Sequence, residues 1–106
     1  LATINITFGF VGGKGGKDTH SPTFRAHGAS QTVTSAGTST QSTISAPTVT
    51  SGGVGVAALR LYSDVAIWYS IGQNPVAAAN TTMYLPAGAV EYPYADKGDK
   101  IAVLEA

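Results

Sequence analysis

At 106 residues the chain has room for one domain with one modest core, and the absence of cysteine excludes disulfides and thiolate metal sites as supports for it. Six basic and six acidic side chains cancel, and charged residues make up only 11% of the chain against about 25% in an average soluble domain. No basic footprint for nucleic acid or anionic lipid is present, so affinity for polyanions is not expected.

No apolar run approaches the ~20 residues of a membrane span, and no basic stretch followed by an apolar one opens the chain, so the expectation is a soluble, unexported protein without membrane contact. Leu1 is not an initiator residue, so the expectation is that something upstream of it has been removed or processed. Between Arg25 and Arg60 there is no Asp, Glu, Lys or Arg; Ser, Thr, Gly and Ala fill the gap. A neutral surface of this kind tolerates burial against a partner because no ion has to be desolvated. A polar, uncharged loop with flanking strands is the alternative.

In chain order, the clearest element comes first. Ala2, Ile4, Ile6, Phe8 and Phe10 alternate with Thr3, Asn5, Thr7 and Gly9, the period-2 pattern of a half-buried strand. Its apolar side either completes the domain's own core or serves as an arm added to a neighbouring subunit's sheet. Residues 11–23 carry too many glycines for a regular element and read as a loop. Gly16-Lys17-Asp18 resembles a phosphate-binding loop only superficially: position 11 is Val, and Asp18 stands where a hydroxyl would be needed for magnesium.

From Ser30 to Ser51 Ser and Thr dominate, with Val33, Ile44 and Val49 as apolar points; residues 31–34 and 38–45 are expected as short strands, a low-complexity linker being the competing reading. Alternation returns beyond Gly53. Ala57, Leu59 and Leu61 oppose Arg60 and Tyr62, and Val65, Ile67, Tyr69 and Ile71 oppose Ala66, Trp68 and Ser70, with a hairpin-like turn at Ser63-Asp64 between them. Gln73-Asn74-Pro75 stops that strand, and the helical spacing over residues 76–80 is too short to nucleate a helix. Pro86-Ala87-Gly88 fits a tight turn, and Asp96 to Asp99 close a final hairpin onto Lys100 to Leu104. Asn80-Thr81-Thr82 matches a glycosylation sequon, which matters only in a secreted eukaryotic protein.

The expected fold is therefore all-β, a small antiparallel sandwich or barrel of about seven to eight short strands with an N-terminal strand or arm. A single β domain spans residues 1–106, divided into an N-terminal strand and Gly/Lys loop arm (1–28) and a β-sandwich module (29–106).

Catalytic chemistry needs convergent titratable groups, and the candidates are His20, His27, Asp18, Asp64, Glu91, Asp96, Asp99 and Glu105. His20 and His27 are too far apart in sequence to share a metal from one strand or helix, and Asp96 and Asp99 are simplest as turn formers. No Gly-x-Ser-x-Gly elbow accompanies the many serines. The expectation is a protein with no enzymatic activity, no cofactor and no metal. Trp68, Tyr62, Tyr84, Tyr92 and Tyr94 form the other conspicuous group, suited to core or interface packing because each joins a large apolar area to one polar handle, or to stacking on sugars.

The segments Gly37 to Ser42, Leu59-Arg60-Leu61, Ile67 to Pro75, Met83 to Gly88, Glu91-Tyr92 and Gly98 to Leu104 together resemble a family of small tailed-bacteriophage virion proteins, similar to head decoration (cement) proteins. The resemblance covers residues 37–104; residues 1–27 lie outside it. It implies a structural protein of the outer capsid surface, present in the host cytoplasm during assembly, that binds the major capsid protein, forms homo-oligomers and stabilises contacts between shell subunits. Candidate interface residues are Ile4, Ile6, Phe8, Phe10, Trp68, Tyr92 and Tyr94. The alternatives are a head-tail joining or tail component and, from another class, a carbohydrate-binding β module built on Trp68.

Overall fold

The computed structural model describes residues 2–12, 23–47 and 56–106. Eight strands follow one another along the chain: β1 (Ala2–Gly12), β2 (Thr23–Ser35), β3 (Thr40–Gln41), β4 (Val56–Ser63), β5 (Ile67–Gly72), β6 (Met83–Leu85), β7 (Val90–Glu91) and β8 (Lys100–Glu105). They form two four-stranded antiparallel sheets, one in the order β2-β1-β4-β7 and the other in the order β3-β8-β5-β6. The expected all-β sandwich is the observed fold.

The core lies between the sheets. Ile4, Ile6 and Phe8 of β1, Val33 of β2 and Leu59 and Leu61 of β4 come from the first sheet; Ile67, Tyr69, Leu85, Ile101 and Val103 come from the second. Alternation explains the selection, because a strand buried on one side places every second residue inward. The paired registers put these side chains in rows: Ile6 lies opposite Leu61, Phe8 opposite Leu59, and Ile67 and Ile71 opposite Glu105 and Ile101. Ala46 and Ala95, both buried, pack against the same cluster.

Three sequence expectations change here. First, β1 is no detached arm: β2 flanks it on one side and β4 on the other, and the division at residue 28 falls inside β2. Ile4, Ile6 and Phe8 are buried in the chain's own core, so of the two roles open to that apolar side the structure has the first, and these three side chains present no surface to a partner. Second, Ser63-Asp64 is a crossover and not a hairpin, since β4 belongs to one sheet and β5 to the other. Buried Ser63 turns the chain there, its Oγ donating to the Val65 carbonyl at 2.6 Å, while Asp64 Oδ1 accepts from the Thr3 amide at 2.8 Å. Third, Asp96 to Asp99 also carries the chain between sheets, from the β7 edge to β8. The turn chemistry itself is as expected: the Asp99 amide donates to the Asp96 carbonyl at 2.9 Å, Asp99 Oδ2 accepts from the Asp96 amide at 2.9 Å, and Gly98 takes a φ of +84° that a side chain disfavours.

β2 is longer than the expected residues 31–34, and it contains a register shift. Residues 30 to 35 pair in step with Thr7 to Ala2, whereas residues 23 to 26 pair in step with Gly12 to Gly9. The surplus on β2 is accommodated as a bulge over His27, Gly28 and Ala29, which keeps the alternation in phase on both sides. Residues 79–81 form a turn, and residues 76–80 contain no helix.

Candidate functional site

Two surfaces and one cross-sheet contact carry the chemistry. The outer face of the first sheet is set by the residues between the core positions: Thr3, Asn5 and Thr7 on β1 lie opposite Thr34, Thr32 and Ser30 on β2. Thr32 Oγ1 donates to Asn5 Oδ1 at 3.0 Å, and the Thr7 and Ser30 hydroxyls share a hydrogen bond of 2.9 Å. On the other side of β1, Tyr62 and Arg60 of β4 face Asn5 and Thr7, and Val90 of β7 faces Tyr62. Beyond β7 the chain keeps the same register along β4: the Leu59 amide donates to the Pro93 carbonyl, the Ala95 amide donates to the Ala57 carbonyl, and Ala58 bridges Tyr94. That register sets Tyr92 beside Arg60 on this side, with Tyr92 and Tyr94 both exposed. Arg60 is the one formal charge among these described positions.

The outer face of the second sheet is different. Trp68 of β5 pairs with Tyr84 of β6, and their rings meet at a centroid distance of 4.9 Å with a 59° tilt. Trp68 is half-buried, Tyr84 exposed. Beside them the loop from Gln73 to Thr82 crosses the sheet: Gln41 Nε2 donates to Asn74 Oδ1 at 2.8 Å and to the Pro75 carbonyl at 3.0 Å, and the Ala77 amide donates to Ser39 Oγ at 2.9 Å. Reaching β3 from β5 means passing over β8, and the small, fully buried Ala102 sits on the side that the loop crosses. An open hollow of about 490 Å³ lies between Tyr69, Ile71, Thr82, Met83 and Pro93.

The sheets communicate at Tyr69, whose hydroxyl donates to Glu91 Oε1 at 2.8 Å. Burial above all, then the hydrogen bond to Glu91 and its negative charge, hold the Tyr69 phenol well above its ordinary pKa. Two further carboxylates act in turns: Asp64 on the Thr3 amide, and buried Asp99 on the Asp96 amide and on Gln73 Nε2 at 2.7 Å. Among the described residues no three His, Asp or Glu side chains come together as a metal site, and no buried polar side-chain atom lacks a hydrogen bond. Asp18 and His20 lie outside the described residues, as do the side chains of His27 and Phe10.

Of the seven candidate interface residues, the structure brings Tyr92 and Tyr94 to the surface, leaves Trp68 leaning on Tyr84, and buries Ile4, Ile6 and Phe8. Those seven leave out the complementary polar set on the same strand, although the sequence shows both its alternation and the uncharged stretch that follows Arg25. Thr3, Asn5 and Thr7, matched by Ser30, Thr32 and Thr34, share one spacing, and that repeated polar alternation was the available signal. No protein-family model, no curated protein and no solved structure matches this chain.

Proposed function

We propose that this chain is a virion structural protein, a decoration or cement protein that docks on the outer capsid of a tailed bacteriophage and reinforces contacts between shell subunits. The observation that carries the reading is the outer face of the first sheet, a run of hydroxyl, amide and tyrosyl groups with Arg60 as the single charge among its described side chains. Such a face can be covered with little desolvation cost, since hydroxyls and amides exchange water for protein partners and only one ion needs a counter-charge. Tyr92 and Tyr94 at its margin add large apolar area with a polar tip, the composition that anchors interfaces. Many identical weak contacts across a shell then sum to firm attachment. The resemblance over residues 37–104 points the same way.

A carbohydrate-binding role would want a flat exposed aromatic platform at Trp68; the 59° tilt against Tyr84 gives the two rings no common plane. A head-tail joining role would use the same module at a different place on the particle.

The test is co-sedimentation of the purified chain with phage heads stripped of decoration. Thr3→Glu combined with Asn5→Glu places two anions in the centre of the neutral face, at exposed positions, with far-UV circular dichroism checking that the fold is retained. The expected result is saturable binding by the parent chain and at least about tenfold weaker binding by the double variant, because each buried, unpaired charge is costly. Equal binding by both would reject this face as the docking surface, and no binding by the parent would reject the function.

A further inference from the structure

The four lateral edges of the sandwich are unequal. β3 and β7 have two residues each and β6 has three, and Pro93 interrupts the chain beyond β7; β2 has thirteen, Thr23 to Ser35, without a proline. Short edges, prolines and bulges are how sandwiches prevent strand addition, and β2 from Ser30 to Ser35, beyond its bulge, has none of these. From Ala26 to Ser35 β2 carries no Asp, Glu, Lys or Arg.

The direction of its hydrogen-bonding groups follows from β1. The Thr3 amide donates to Asp64 and the Thr3 carbonyl accepts from the Asp64 amide, so Thr3 points its backbone groups toward β4. Ala2, Ile4 and Ile6 therefore point theirs toward Ser35, Val33 and Gln31 of β2. The N–H and C=O of Ser30, Thr32 and Thr34 are left facing away from the sheet, and among the described residues no backbone group meets them. All three residues are exposed.

We propose that this edge is a pairing site for a second copy of the chain, with β2 lying antiparallel to its counterpart across a two-fold axis at Thr32, so that two four-stranded sheets become one of eight. Self-pairing fits because the segment is nearly its own complement. Thr32 meets Thr32 and Ser30 meets Thr34, hydroxyl opposite hydroxyl on the outer face, while Gln31 meets Val33. The outward donors and acceptors of these residues make about six backbone hydrogen bonds between the copies. No like charges oppose each other, and Arg25, beyond the His27–Ala29 bulge, stands clear of the paired stretch. A free peptide would find the same backbone groups but no such matching of side chains. The paired segment is short, so the dimer depends on concentration in solution and is favoured where copies are held close together.

Sedimentation equilibrium of the full chain from about 10 µM to about 1 mM reads the association directly. The parent mass rises from 10.7 kDa toward twice that value. Thr32→Lys sets two ammonium groups face to face at the axis and holds the mass at the monomer value, as does Thr32→Glu. An equimolar mixture of the two variants restores the doubling, because Lys then faces Glu. Thr32→Pro, which removes the central outward N–H, also stays monomeric, with far-UV circular dichroism confirming the fold. A parent chain that remains monomeric at the highest concentration overturns the proposal. So does a dimer that Thr32→Lys leaves unchanged.

Discussion

Truncating Phe8 to alanine separates a β1 built into the core from a β1 that merely rests on the domain. The Phe8 ring is fully buried between the sheets, with Leu59 opposite it on β4. Removal of a buried phenylalanine costs about 3–5 kcal/mol, out of about 5–15 kcal/mol for a domain of this size. The melting temperature should therefore fall by about 15 °C or more. Urea denaturation followed by Trp68 fluorescence and far-UV circular dichroism provides the measurement, and Thr7→Ala is the control. Thr7 lies next to Phe8 in the strand but faces outward, where it gives up only a hydroxyl hydrogen bond to Ser30, a loss of about 1 kcal/mol or less. A Phe8→Ala cost below about 1 kcal/mol, or one equal to that of Thr7→Ala, would refute the placement of β1 in the core.

The Tyr69 phenol is held neutral in the folded chain by burial and by Glu91, so its pKa is raised on folding; the stability it contributes is complete below the unfolded value of about 10 and is lost as pH rises above it. Denaturation midpoints at pH 7 and pH 11 should diverge more for the parent than for Tyr69→Phe, and identical slopes would remove Tyr69 from the account. Gly98→Ala forces a side chain into φ +84°, although the added carbon would meet Gln73 only at ordinary contact distances, so the expected loss is backbone strain of about 1 kcal/mol. Gly72→Ala, in open space at an ordinary φ, should cost far less; thermal melts that rank the two the other way contradict this reading.

Much of the fold could be read from periodicity, because burial on one face writes itself into every second residue. β1, β4 and β5 show this plainly: Ile4, Ile6 and Phe8, Leu59 and Leu61, and Ile67 and Tyr69 all face the core as the alternation expects. β2 was harder. Its bulge interrupts the alternation at His27–Ala29, and its inward-side Gln31 looks like a surface residue until its Oε1 is seen to accept from the Thr43 and Ile44 amides at 2.9 and 3.3 Å. The two crossovers that resemble hairpins in sequence are hard to read for a different reason. Ser63-Asp64 and Asp96 to Asp99 have the right local chemistry for reversal, but which sheet receives the next strand depends on partners far away in the chain, such as β1 for β4 and β8 for β5. The outward face of the first sheet was hidden for the same reason: its rows are assembled from β1, β2 and β4, and only the pairing register sets Thr32 beside Asn5 and Tyr62.

Image reconstruction of tailed-phage heads assembled with and without this chain is the decisive measurement for a decoration protein. Added density is expected on the outer shell at joints between capsid subunits, fitted by the sandwich with Thr3, Asn5 and Thr7 turned toward the shell. Identical reconstructions, or density at the tail or portal alone, would contradict that role.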